Sequence, residues 1–303
     1  MRFHAAVRAT LGGVLMTATL VACATDDPSE PAAGERLRVV ATTTQVGSVA
    51  REIGGEAIEL TVLLKPGIEA HDFELTPAAG AALEQADLIL VSGAGLEDWL
   101  DETLETIGGA DRARDLSAGV SLLPSGDPHY WLSAPNAIVM AENARDALAE
   151  AAPDDADGFA DRADVLIERL EAADVGVRAM IDEVPPDARR IVTDHDALGY
   201  FIDEYSLVFV GSIFPSLDVS SEPSAQEIET LVAEIRDQGV TAIFTESSVN
   251  ARLAAAVAEE TDARLVDEPI YTDSLGPDGS GADTLDGMLV HNARVIRDGL
   301  LGS

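Results

Sequence analysis

The sequence predicts parallel α/β architecture in two blocks, and three observations carry that prediction. Short β-branched runs alternate with amphipathic helical segments along most of the chain, the pattern of strand–helix units around a parallel sheet. The alternation breaks once, between residues 154 and 184, where Phe159, Leu166, Leu170, Val177 and Ile181 recur at helical spacing through a charged segment that Pro185-Pro186 closes. Roughly 270 residues follow the amino-terminal leader and tether, enough for two domains, each with a core of its own. Gly158 and Gly176 cost helix propensity in the 154–184 stretch, yet one long helix is its simplest reading. Such a helix between two α/β blocks is either a rigid connector or an ordinary surface helix.

The elements follow in order. "LRVVATTT" is a buried type of strand ending in a polar turn, and "QVGSVAREIGG" a short helix closed by Gly54-Gly55. "AIELTVLL" is a second strand and "KPGIEAHDFELTP" a long loop, followed by the helix "AAGAALEQA" and the strand "DLILVSG". "GLEDWLDETLETIGG" reads as a whole amphipathic helix with a glycine stop, and "APNAIVMAENARDALAEAAP" as another ending before Pro153. After the long helix come the strand "RRIVTD", the helix "ALGYFIDEY" and the strand "SLVFVGSIF". "SAQEIETLVAEIRDQG" is a helix in which Ser224 and Glu227 stand in capping-box register. "VTAIFTE", "ARLAAAVAEETD" and "ARLVDEPIY" read as strand, helix and strand, and "TLDGMLVHNARVIRDGLL" as the final helix.

The amino end reads as an export signal. Arg2 and Arg8 precede an apolar run too short for a permanent membrane span, which needs roughly 20 apolar residues. The run ends in Leu20-Val21-Ala22-Cys23, and Cys23 is the only cysteine. This resembles a bacterial lipobox, in which Cys23 is lipidated and begins the mature chain; the alternative is an ordinary signal peptide with a chance cysteine. Residues 1–22 are then a signal peptide and 23–35 a lipidated cysteine with a polar, Pro-containing tether. One cysteine allows no intrachain disulfide.

The charge narrows the function classes. Nineteen basic residues face 55 acidic ones, a net charge of −36, and loss of the leader removes two more arginines and no acid. Nucleic acid is excluded as a partner, because phosphate binding requires basic surface, whereas a field of this sign attracts cations. A solvated acidic surface for solubility or high salt accounts for most of the charge.

Five histidines occur, and His4 belongs to the leader. His71 lies in the loop after "AIELTVLL", His129 in "DPHYWL" behind a stiff Asp-Pro step, and His195 directly after "RRIVTD". All three fall at or near the carboxyl ends of predicted strands, where open α/β sheets bind ligands. Asp273 in "YTDSLG" occupies the matching place in the last unit. Two candidates come from each block, so they could converge across the cleft between them. Three imidazoles and one carboxylate suit a divalent first-row metal. Each residue alone has a plainer reading, a structural histidine or a turn aspartate; His291, mid-helix beside Asn292, is read as structural. Glu246 in "FTESSV" either hydrogen-bonds a ligating imidazole or caps the following helix. Asp127 and Asp196 flank candidate ligands without spacing that shows whether either reaches a ring. Tyr130 and Trp131 are expected to pack around the site and shield it.

These motifs resemble, in order, those of the metal-binding lipoproteins of zinc and manganese ABC importers, the cluster A-I solute-binding proteins. "GIEAHDFELTP", "DPHYWL", "HDALGYF" and "YTDSLG" with "TLDGML" resemble that family's four ligand loops, and the similarity runs from about residue 37 to the C-terminus, "SSEPSAQEI" and "FTESSV" included. The resemblance implies two (β/α)4-type domains with parallel sheets, residues 36–152 and 186–303, joined by a single long rigid helix over 153–185. It implies that His71, His129, His195 and Asp273 ligate one Zn2+ or Mn2+ per chain as transported cargo. It further implies a monomer, held at the extracytoplasmic membrane face by lipid on Cys23, that delivers the ion to an ABC permease and its ATPase. The sequence departs from the family at Glu69-Ala70, where Asp-Pro is common, and at Ser133-Ala134, where an acid is common; the His-rich loop of many zinc members is missing. Some manganese members carry Glu in place of His195, so this histidine leans the site toward zinc. Two further readings stand beside this one: a zinc-dependent hydrolase, weakened by a closed four-ligand set and the lack of a helical H-E-x-x-H, and a surface adhesin.

Overall fold

The computed structural model describes residues 36–68, 70–71, 73–214, 222–246 and 251–302. Residues 1–35, Cys23 among them, and Glu69 lie outside the described residues, and with them the expected signal peptide and tether. The β-branched run Leu37–Ala41 forms β1, and α1 follows at Thr44–Gly54, capped by the Thr43 hydroxyl accepting from the Val46 amide. β2 is Ile58–Val62, and α2, Pro77–Gln85, starts on a Thr76 cap with proline in its first turn. β3 is Leu88–Val91, α3 Asp101–Ile107 and β4 Ala113–Asp115. All pair in parallel in the order β2-β1-β3-β4. α4, Ala134–Ala151, completes the first lobe.

The second lobe repeats the plan. β5 (Arg190–Thr193), β6 (Val208–Ser212), β7 (Ala242–Phe244) and β8 (Arg264–Leu265) form a parallel sheet in the order β6-β5-β7-β8. Its helices are α6 (Gly199–Tyr205), α7 (Ala225–Gln238), α8 (Arg252–Thr261) and α9 (Leu285–Leu301). The capping box at Ser224 and Glu227 is present in full. Equal strand order in the two sheets is the duplication that the sequence does not demonstrate.

α5, Ala156–Asp182, runs unbroken for 27 residues between the lobes, through Gly158 and Gly176. Its buried stripe, Phe159, Ala163, Leu166, Leu170, Ala173, Val177 and Ile181, keeps the i, i+3/i+4 spacing of one helical face. This stripe packs on α4 and α1 from the first lobe and on α9 from the second. Arg169 pairs with Glu52 of α1 and, at 3.0 Å, with Asp286 of α9. Two elements are shorter than the sequence predicts. Residues 94–100 form turns, because Gly93, Ala94 and Gly95 adopt positive φ and the Glu97 carboxylate accepts from the Ser92 and Gly93 amides, so α3 begins only at Asp101. "ARLVDEPIY" yields a two-residue β8 and a single Glu246–Ile270 bridge, since Pro269 offers no ladder donor.

The main core is continuous across the two lobes. The main core runs from Leu37, Val39 and Ala41 through the α5 stripe to Ile191, Phe244 and Leu285. Only the outer faces of the sheets have satellite cores, one around Leu83, Ile89 and Leu104 and one around Val192, Ile235 and Val257. From Arg36 onward the chain is accordingly one compact unit. Among the described residues no helix is long and apolar enough to cross a membrane.

Candidate metal centre

The four candidate residues follow β2, β4, β5 and β8 in the chain and meet between the two lobes. His71 follows β2; the Trp99 indole donates to the Ala70 carbonyl at 3.1 Å and so pins the residue before it. His129 follows β4 and opens the single 3-10 turn Tyr130–Leu132. The Asp127 carboxylate accepts from both the His129 amide (2.8 Å) and its Nδ1 (2.7 Å). With Nδ1–H donated, the imidazole presents Nε2 to the cleft. Here the structure answers what spacing cannot: Asp127 reaches a ring, whereas Asp196, half-buried, makes no hydrogen bond or ion pair with a described residue.

His195 follows β5 with only Asp194 between. Its amide donates to Asp194 Oδ1, while Asp194 Oδ2 accepts from the Glu246 amide, tying the ends of β5 and β7 together. Glu246 Oε1 lies 2.6 Å from His195 Nδ1, and the Thr272 hydroxyl donates to Glu246 Oε2. Sequence reasoning missed Asp194 and Thr272. Their signals were an acid preceding a strand-end histidine and a hydroxyl preceding the strand-end aspartate. Tyr130 and Trp131 are fully buried and bond away from the ligand atoms, Tyr130 to the Ser92 carbonyl and Trp131 to the Thr272 carbonyl. His291 accords with its structural reading, its Nε2 lying 2.9 Å from the Pro269 carbonyl.

His71, His129 and Asp273 form one close group of candidate ligand atoms, and His195, grouped with Asp194 and Glu246, meets it through Asp273. His71 Nε2 and His129 Nε2 are 3.2 Å apart, Asp273 Oδ1 is 2.8 Å from His129 Nε2, and Asp273 Oδ2 is 3.4 Å from His195 Nε2. A tetrahedral ion with bonds of about 2.0–2.2 Å separates its ligand atoms by about 3.4 Å, close to these three spacings. His195 Nε2 and Asp273 Oδ1 are buried without a hydrogen bond of acceptable alignment, despite their neighbours' proximity. Buried polar atoms in that state cost stability unless something binds them. A divalent cation at the centre would satisfy them together.

The electrostatics fit a cation as well. Burial drags the His129 imidazole down, but the Asp273 charge and the Asp127 bond outweigh it and raise its pKa to about 9. His195 is raised to about 10 against the same burial, chiefly by Glu246 and then Asp273. Asp273 stays well below the usual carboxylate range: burial opposes this, and the His129 and His195 charges overcome it. Positive charge is thus stabilised at the centre, and a proton or a metal can supply it.

Comparison with known proteins agrees with this architecture. Residues 39–299 match the family described as zinc-uptake complex component A, periplasmic. The chain is 30% identical to the manganese-binding lipoprotein MntA of Bacillus subtilis (strain 168), covering 94% of this chain and 96% of that protein. It is 31% identical to the iron-binding protein YfeA of Yersinia pestis, over 84% and 82% of the two chains. Among solved structures, the periplasmic zinc-binding protein TroA from Treponema pallidum superposes with a TM-score of 0.82 at 26% identity, covering 88% of this chain and 99% of that one. These relatives are metal-binding transport proteins, and the hydrolase reading falls with them. The chain belongs to the family of periplasmic zinc-uptake component A proteins, the metal-binding substrate-binding components of ABC importers.

Proposed function

We propose that this protein is an extracytoplasmic lipoprotein that captures one Zn2+, or Mn2+ as the second choice, between its lobes and hands it to an ABC permease and its ATPase. His71, His129, His195 and Asp273 are the ligands in this reading. The single observation that carries it is their convergence: His71, His129 and Asp273 form one close-set group, and His195 reaches it through Asp273 Oδ2, 3.4 Å from its Nε2. Asp127 and Glu246 orient the His129 and His195 rings through Nδ1, leaving Nε2 for the metal. Zinc is favoured because imidazole suits it and it binds N/O sites more tightly than manganese. The names of the manganese- and iron-binding relatives support keeping the harder ions in view. Cys23 carries the lipid that holds the monomer at the membrane, and residues 36–152 and 186–303 act as the two halves of the clamp.

The test is direct. The metal-stripped chain should take up about one equivalent of Zn2+ or Mn2+ and gain thermal stability by mass action. If His129→Ala and Asp273→Ala bound metal as tightly as the parent chain, the site assignment would be wrong. Metal uptake by a deletion strain limited separately for each ion identifies the cargo, because tight zinc binding in vitro is expected of any such site.

A further inference from the structure

The loop that carries Asp273 belongs to the second lobe by sequence but is held by the first. On its own side, Asn292 of α9 fixes Tyr271 completely, accepting from the Tyr271 amide at 2.9 Å and donating to its carbonyl at 2.6 Å. One residue later the backbone's partners change lobes, although the Thr272 hydroxyl still donates to Glu246. The Thr272 carbonyl accepts from Gln45 Nε2 at 2.8 Å and from Trp131 Nε1 at 3.0 Å, so both its lone pairs are taken by first-lobe donors. The Leu275 amide donates to the Thr44 hydroxyl at 2.9 Å, and the Ser274 hydroxyl accepts from the Gly67 amide at 2.9 Å. Asp273 therefore sits in a short span fastened at both ends to the first lobe.

Gln45 is the centre of that fastening, and its hydrogen-bond directions are fully determined. The Leu275 N–H can only donate, so Thr44 Oγ1 accepts there and turns its own proton to Gln45 Oε1, 3.0 Å away. With Oε1 occupied as acceptor, Nε2 faces the Thr272 carbonyl, which can only accept. These bonds join Thr44 and Gln45 to both ends of residues 272–275. Gln45 is completely buried at the first turn of α1, an unusual place for a residue whose polar end touches no ligand atom. The outcome is visible at the site: Asp273 lies nearer His129 of the other lobe (2.8 Å) than His195 of its own (3.4 Å).

We propose that Gln45 is a positioning residue for metal capture, locking the Thr272 carbonyl so that Asp273 is delivered to the His71–His129 pair as a first-lobe ligand, which His195 then closes from the second lobe. The inference rests on the metal-site reading above. Its consequence is selective. Mn2+, a hard ion at the weak end of the divalent series, depends more on the carboxylate than Zn2+, which three imidazoles hold. Loosening Asp273 should therefore release manganese more readily than zinc.

Gln45→Met keeps the length and volume of the side chain and removes both bonds. Release of Mn2+ and Zn2+ into excess chelator is followed by stopped flow for the parent chain, Gln45→Met, Asp273→Asn and the double variant. Amide hydrogen exchange is measured at residues 273–275 in the metal-free proteins. We expect Mn2+ release about 5- to 10-fold faster in Gln45→Met, the size of one or two neutral buried hydrogen bonds, with a smaller change for Zn2+. We expect faster exchange at residues 273–275 and no added effect of Gln45→Met in the Asp273→Asn background. Unchanged release, equal acceleration of both ions, unchanged exchange at residues 273–275, or an undiminished effect in the Asp273→Asn background would each overturn the role. If Asp273→Asn itself released both ions like the parent chain, the metal-site reading would fail instead, and the inference with it.

Discussion

Replacing Asp127 by alanine isolates the device that aims His129. In the parent chain one carboxylate oxygen takes both the backbone N–H and the Nδ1–H of His129, at 2.8 and 2.7 Å, where the ring is completely buried. The alanine variant strands that Nδ1–H away from water and frees the imidazole to place its proton on Nε2, where it would point at the metal. A buried hydrogen bond to a charged group contributes about 1.5–3 kcal/mol. If most of that is felt at the metal, affinity falls about 10- to 100-fold, the range typical of groups that orient metal-bound histidines. Competition calorimetry with a chelator of known affinity measures it, with Asp127→Asn as a control that keeps an acceptor oxygen and should lose less. An Asp127→Ala protein that binds zinc within about twofold of the parent would refute the reasoning, because the orientation of His129 would then not depend on this carboxylate.

Three other outcomes follow from the same contacts. The His129 pKa is raised to about 9 from 6.5, so in the metal-free protein its contribution to stability is complete below about 6.5 and is lost as the pH rises through 9. Zinc must displace that proton, so the gain in Tm on adding zinc should grow with pH across this window, and zinc binding at neutral pH should release protons in buffers of differing ionisation enthalpy. Gly199→Ala would place a Cβ 2.4 Å from Asp127 Oδ2, and its metal affinity should fall in the same direction as that of Asp127→Ala. Ser224→Ala removes the capping box of α7, which makes no contact with the candidate ligand atoms, and should cost about 1 kcal/mol in denaturant unfolding while leaving metal affinity unchanged.

Much of this molecule is legible in the sequence because local signals and the fold agree. The α5 stripe, the capping box at Ser224 and the β-branched cores of β1, β3 and β5 are patterns a chain carries within a few residues. The strand-end placement of His71, His129, His195 and Asp273 was legible for the same reason, since a parallel sheet puts such positions on one edge. What escaped was anything set by partners distant in sequence. Gln45 is a polar residue in an apolar helix until Thr272, 227 positions away, is folded against it. The continuity of the core across both lobes depends on three helices meeting α5, which no local period encodes. "GLEDWLDETLETIGG" misled because its periodicity is real, but Glu97 finds better use accepting from the Ser92 and Gly93 amides than in a helical turn.

The central claim is that two side chains from each lobe hold one ion. X-ray diffraction at the zinc absorption edge from zinc-loaded crystals tests it most directly. The account predicts one anomalous peak per chain, about 2.0–2.2 Å from Nε2 of His71, His129 and His195 and from the Asp273 carboxylate. A peak bound by residues of one lobe alone, or one placed away from these four side chains, would contradict it.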